Sequence, residues 1–318
     1  DINNTLLLGP GPSTVSPNVY TALSTNTIGH FDPRFIDIMD QIKGMLKLVF
    51  KTSNDFCIPV SGTGSAAMES CFVNMVEPRD KVLIIQNGYF GLRMENMCQR
   101  LDADLSLLKF DWGKAVDVDQ VKDHLNSNSY DIVAIVHAET STGVCNPIKE
   151  IGQLVHENGS LYLVDCVTSL GGLEIKMDEW FIDALYSGTQ KCLSCPPGLS
   201  PVSFSKKALE KLNNRSSKVH NWYLDLSMIT KYWSGASRVY HHTAPINMLY
   251  GLYQACYNIK DEGLDKVIQR HKDMHTLLVN ELSNLGLKLF VKEQDRLPML
   301  NSIMIPEGVE DAEVRSRL

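Results

Sequence analysis

Residues Ser187–Gly198 read SGTQKCLSCPPG, a single lysine, Lys191, among small, apolar and thiol side chains, with no acid following until Glu210. A lysine partly stripped of water becomes a usable nucleophile toward a carbonyl; the plain alternative is a surface lysine in a loop. Upstream, Asp165 ends the apolar run SLYLVD. A carboxylate buried there must find a cation or strong donors. The following CVTSLGG supplies no further acid or histidine for a metal, and the alternative is an Asp that caps the next turn. A third stretch, Ser61–Ser65, reads SGTGS. Its glycines let the backbone approach an anion, and a helix start offers unpaired N–H groups and a favourable dipole. Thr63 and Ser65 add hydroxyls. The stretch is neither a Walker loop nor G-x-G-x-x-G, and its alternative is a glycine-rich turn that only caps a helix.

These residues act together only if the chain brings them together. CIPV (57–60), KVLIIQ (81–86), DIVAIVHAE (131–139), SLYLVD (160–165) and FIDALYSG (181–188) read as buried strands. Helical patterns lie between most of them, at 118–125 and 148–157, and after Pro33 the residues Phe35, Met39, Ile42, Leu46 and Val49 recur at spacings of three and four. Continuous apolar strands alternating with helices predict an α/β fold, a large domain with a mostly parallel, mixed sheet flanked by helices. PVSFS (201–205) follows too closely for a helical crossover and is expected to run antiparallel to its neighbour. From about 246 a long helix leads to another over 265–285, then to LKLFVK and MLNSIMIP, expected as strands of a smaller α+β domain. The expected division is a large domain over 1–262, with an N-terminal arm, and the start of a truncated small C-terminal domain over 263–318.

In open parallel sheets ligands collect beyond the carboxyl ends of the strands. A phosphate cradle, a carboxylate and a desolvated lysine at successive strand ends are what pyridoxal 5′-phosphate (PLP) requires. The lysine forms the Schiff base, the aspartate keeps the ring nitrogen protonated, and the cradle anchors the phosphate. Phe90, in NGYFG after the strand 81–86, is placed to stack on the ring; Thr140, in HAETSTGV, is placed to donate to its phenolic oxygen.

A formal net charge of −7 and scattered Lys and Arg argue against a nucleic-acid partner. No stretch approaches the roughly 20 apolar residues that cross a bilayer, so no membrane is expected. The start, DINNTLLLGPGPS, lacks the basic region of a signal peptide. The cysteines, mostly inside apolar patterns, read as free thiols in a reducing compartment. Cys192 and Cys195 form a C-x-x-C, a redox pair or half of a zinc site by spacing; no second pair exists, and Pro196-Pro197 follows where a thioredoxin-type helix would run. No metal is expected.

The motifs LLLGPGPS, IGHFDPRFIDIMDQIK, SGTGSAAMES, HAETSTGV, VDCVTSLGG, SGTQKCLSCPPG, VYHHTAP, LKLFVK and RLPML, in that order, resemble the class V aminotransferases of PLP fold type I, and within them the alanine–glyoxylate / serine–pyruvate group. The resemblance covers nearly the whole sequence. It implies that Lys191 is the Schiff-base lysine and proton shuttle, and that Asp165 pairs with the pyridine nitrogen. It implies a phosphate cradle of Thr63, Gly64 and Ser65, with Gln190 as a further contact; Ser65 stands where relatives often have His. Phe90 replaces the usual stacking Trp, Thr140 replaces a Ser, and Val167 packs on the ring's other face. Tyr240 and Thr243 would reach the phosphate of a neighbouring subunit, which implies a homodimer with composite active sites. His241 and His242 would then be structural. Gly9, Gly11 and His30 would lie near the substrate entrance. The Arg that grips the substrate carboxylate in relatives falls beyond Leu318, and none of Arg296, Arg315 or Arg317 lies in its motif.

The activity implied is transamination between alanine or serine and glyoxylate or pyruvate, in an intracellular protein of the peroxisome, mitochondrion or cytoplasm, the peroxisome first. Rivals on the same fold are a 3-hydroxykynurenine or 2-aminoethylphosphonate transaminase, and a PLP lyase or cysteine desulfurase. The last needs a cysteine on a mobile loop, whereas Cys192 directly follows the Schiff-base lysine. A non-catalytic dimeric scaffold is the remaining alternative.

Overall fold

The structure, a computed structural model, describes residues 5–235 and 238–317. Prolines open the first two helices, α1 (Pro17–Leu23) and α2 (Pro33–Phe50), at positions where a missing N–H costs nothing. Asp32 caps α2 by accepting from the Arg34 amide at 2.9 Å, and the helix stops at Lys51 in a left-handed conformation, φ 48°. Phe35, Met39, Ile42, Leu46 and Val49, the stripe seen in the sequence, are all buried.

The remaining elements alternate: β1 (Phe56–Ser61), α3 (Gly64–Met75), β2 (Lys81–Gln86), α4 (Tyr89–Cys98), β3 (Asp104–Lys109), α5 (Val118–Ser127) and β4 (Ile132–Val136). A two-residue ladder follows, β5 (Ala138–Glu139) with β6 (Val144–Cys145), then α6 (Ile148–Asn158), β7 (Leu161–Asp165), β8 (Ala184–Tyr186) and β9 (Leu199–Phe204). The helices α7 (Lys206–Asn213), α8 (Leu226–Trp233), α9 (Ile246–Glu262), α10 (Leu264–Asn284) and α11 (Asp311–Arg317) complete the described chain.

Seven strands form one sheet in the order β1-β9-β8-β7-β4-β2-β3. From β3 to β8 all pairs are parallel, and β9 runs antiparallel to both β8 and β1. β4 and β7 are buried at every residue, so both sheet faces are covered, as their unbroken apolar sequences require. The α/β fold read from the sequence is the fold present. Register brings the strand ends level: Val136 lies opposite Asp165, and Asp165 opposite Tyr186. The crevice beyond those ends is where side chains from distant segments meet.

Two expectations change. DLSLLK, absent from the sequence-based strands, is β3; it lies at the sheet edge with its middle half-buried, so Asp104, Ser106 and Lys109 dilute its apolar signal. LKLFVK and MLNSIMIP do not extend into strands. They meet through one antiparallel bridge, Leu289 with Ile303. The short 3-10 turn at Glu293–Asp295 and the prolines at 298 and 306, which lack N–H groups, stop the ladder there.

Candidate active site

Lys191 lies in the loop between β8 and β9. That loop is tied down by Thr189, whose hydroxyl donates to the Pro196 carbonyl at 2.7 Å, while the Cys195 amide donates to the Thr189 carbonyl at 3.1 Å. The N-terminal arm closes over it. The Ser13 hydroxyl donates to the Lys191 carbonyl at 2.8 Å, and the Lys191 ammonium donates to the Pro10 carbonyl. Gly11 has φ 126°, a backbone conformation that favours glycine, and a Cβ there would lie 2.5 Å from Lys191 Nζ and push the lysine side chain aside. Lys191 is half-buried, and burial lowers its pKa from the ordinary lysine value of 10.5. Gly9, Gly11, Ser13, Thr168, Cys192 and His271 share with it a cleft of about 510 Å³.

Asp165, at the end of β7, is only 3% exposed. Its Oδ1 accepts from the Val167 amide at 2.8 Å and its Oδ2 from the Tyr186 hydroxyl at 2.9 Å. Burial outweighs both bonds and raises its pKa to about 7. Its two hydrogen-bond donors are neutral. A carboxylate held this way is completed by a cation above it, and a protonated pyridine nitrogen is one.

Thr63, Gly64, Ser65, Phe90, Thr140, Asp165, Val167, Gln190 and Lys191 line a single cavity of about 610 Å³, together with Met68, Arg93, Val136 and Ala138. The residues fit PLP. At one end the amides of Gly64 and Ser65 open α3, where a helix has no acceptors of its own for them, and the Thr63 side chain makes no cap. Gln190 Oε1 is buried there without a hydrogen-bond partner, so the amide is free to turn its Nε2 donor toward a phosphate. Gly64 lets the wall close: a Cβ would lie 3.1 Å from Val167 Cγ2. Across the cavity the Thr140 and Thr168 hydroxyls meet at 2.5 Å.

The other sequence-predicted residues lie outside this cavity. Gly9 and Gly11 sit beside Lys191 in the adjoining cleft. His30 lines neither cavity of its own chain; it precedes α2 and is held among Phe31, Tyr232 and Tyr240, with ring centroids at 4.6, 6.4 and 5.4 Å. Tyr240 and Thr243 also lie outside both cavities, with their hydroxyls 3.3 Å apart. His241 and His242 bond to each other at 2.7 Å, and His242 Nε2 meets the Ser61 hydroxyl at 2.8 Å. Among the described residues no group of three or more His, Cys, Asp or Glu side chains is placed to hold a metal, and no helix is long and apolar enough to cross a membrane.

Other residues escape a sequence reading. Glu139 is fully buried and its carboxylate accepts from the amides of Phe90 at 3.2 Å and Gly91 at 3.3 Å and from the Ser141 hydroxyl at 2.6 Å, which fixes the first turn of α4 and so the Phe90 ring. Tyr186, one strand over, holds Asp165. Arg93 follows Phe90 by one helical turn and reaches the same cavity. An Arg three residues after a stacking aromatic is the one signal the sequence offered, and it is a weak one.

The family described as Aminotransferase class-V matches residues 16–318, and the chain belongs to it. Aminotransferases of this family are PLP-dependent. An alanine–glyoxylate aminotransferase of Rattus norvegicus is 39% identical over 306 residues, 95% of this chain and 74% of the relative. An (S)-ureidoglycine–glyoxylate transaminase of Bacillus subtilis is 34% identical over 98% of this chain and 79% of its own length. The crystal structure of an alanine–glyoxylate aminotransferase from Nostoc sp. superposes with a TM-score of 0.98 at 46% identity, covering 100% of this chain and 84% of that one.

Proposed function

We propose that this aminotransferase moves an amino group between alanine or serine and glyoxylate or pyruvate, with PLP held at Lys191. The observation that carries the reading is the meeting of Lys191, Asp165 and the Thr63–Ser65 turn in one cavity. Glyoxylate is favoured as acceptor because it stands in the names of both the rat and the Bacillus relatives.

Bound there, PLP supplies an aldehyde that captures amines and a ring that takes up the electron pair left when a proton departs from Cα. The protein does the rest. Asp165 would pair with the ring nitrogen and keep it protonated. Phe90 and Val167 would confine the ring, and the Thr63–Ser65 turn with Gln190 would hold the phosphate. Lys191, its pKa lowered by burial, has a larger share of neutral amine than a surface lysine, and its Nζ carries the proton from Cα and returns it on the other side of the transfer. The Gly9–Ser13 arm roofs the lysine and limits water. Tyr240 and Thr243, exposed on this chain, serve the cavity of a second copy in a homodimer.

Lys191→Ala tests the assignment. The purified wild-type protein, reduced with borohydride, should carry the cofactor on the peptide containing residue 191, and the variant should carry none. Cofactor fixed to any other lysine in the wild-type protein overturns the assignment.

A further inference from the structure

Arg93 lies at the wall of the cavity that also contains Ser65 and Phe90. Its Nη1 donates to the Ser65 hydroxyl oxygen at 2.8 Å. Its guanidinium carbon lies 4.8 Å from the Phe90 ring centroid and 5.4 Å from that of Tyr89. These partners are a hydroxyl and two rings, none of them anionic. Beyond the cavity wall Arg93 borders an outer groove with Glu69, and the two form no ion pair within 4.0 Å. A half-buried guanidinium with neutral partners keeps its charge available, and its planar fork suits phosphate oxygens.

We propose that Arg93 is the cation of the phosphate cradle, binding the phosphate monoester of the cofactor together with Ser65. This deepens the reading of the site as a PLP site and rests on it. Because the Ser65 oxygen already accepts from Arg93, its own proton is left to donate, and the positive charge strengthens that donor. The amides of Gly64 and Ser65 and the hydroxyl of Thr63 supply direction for the phosphate but no net charge. The Phe90 and Tyr89 rings hold the guanidinium in place by cation–π contact, so Arg93 is set before the phosphate arrives. The same charge reaches buried Asp165 and favours its ionised form.

The test compares two ligands that differ only in the phosphate. The full chain, freed of cofactor, is titrated with PLP and with pyridoxal, following visible absorbance, for wild type, Arg93→Gln and Arg93→Lys. Arg93→Gln should raise the Kd for PLP about tenfold to a hundredfold while shifting that for pyridoxal by less than about twofold. Arg93→Lys, which keeps the charge and loses the fork, should fall between. Millimolar inorganic phosphate should weaken PLP binding to the wild type and have less effect on Arg93→Gln. An equal rise for both ligands would show Arg93 acting through the Phe90 ring instead, and an unchanged PLP Kd would show no part in binding; either overturns the proposal. Should Arg93→Gln lose its far-ultraviolet circular dichroism, Arg93→Lys decides alone: an unchanged ratio of the two Kd values overturns it. A wild-type chain that gives no absorbing adduct with PLP refutes the cofactor reading itself, and this inference with it.

Discussion

Without cofactor, Asp165 is a buried carboxyl whose pKa lies at about 7 instead of 3.8. The folded state therefore binds more protons than the unfolded one between those values, and the stability this group contributes falls as pH rises through the window. Above pH 7 the full cost applies, on the order of 4 kcal/mol from the shift in pKa. Asp165→Asn is accordingly expected to raise the Tm of the cofactor-free chain at pH 8 and to leave it nearly unchanged at pH 4, as differential scanning calorimetry would measure, while it weakens PLP binding. A loss of stability at pH 8 would contradict this. His137 works the other way. Burial holds it neutral down to about pH 3, so its contribution is present above 6.5 and is lost as pH falls, in wild type and variant alike. At this scale Lys191 and Asp165 were legible in the sequence because their neighbours are apolar or small on both sides, a local signal. Arg93, Glu139 and Tyr186 were not. Each acts through a partner on another element, and nothing in a linear neighbourhood announces that Glu139 will meet Phe90 or that Tyr186 will lie beside Asp165.

Elements position the stacking ring through a contact that leaves no room. Gly88 precedes α4 in extended backbone, and a Cβ on it would lie 2.2 Å from Glu139 Cγ. Glu139 cannot swing aside, because its carboxylate holds the Phe90 and Gly91 amides and the Ser141 hydroxyl. Gly88→Ala should therefore cost about 2–3 kcal/mol in urea unfolding, from overpacking and from donors left without an acceptor. It should also disturb the near-ultraviolet dichroism of bound cofactor. A variant of wild-type stability would show that the β5–α4 junction is more compliant than its packing implies. The central strands were readable because burial on both faces demands unbroken Val, Ile and Leu. β3 was not, because an edge strand is free to carry polar residues, and the 287–305 region was over-read because apolar alternation alone does not ensure a ladder when prolines and a 3-10 turn intervene.

Across the whole molecule, Trp222, Tyr223 and Tyr240 stand 59%, 43% and 55% exposed, close to the segment that bears Thr243. The homodimer proposed above would cover this face and deliver Tyr240 and Thr243 to the partner's cavity. Subunit mixing tests it. Lys191→Ala and a Tyr240→Ala, Thr243→Ala double variant, each inactive, should on random exchange regain about one quarter of wild-type activity, since a mixed dimer places both defects in one site and leaves the other whole. Mixtures as inactive as their parents would mean that each chain completes its own site.

The sheet order has one more effect, on the making of the protein. β1 lies at an edge and pairs with β9 alone, Phe56 facing Phe204. At ribosomal speeds the intervening chain takes on the order of ten seconds to emerge. Until then β1 lacks its one sheet partner. The Thr63–Ser65 turn, proposed above to hold the phosphate, is thus among the first parts of the pocket to be synthesised and among the last to be secured, so the arrival of yellow colour should time the completion of folding.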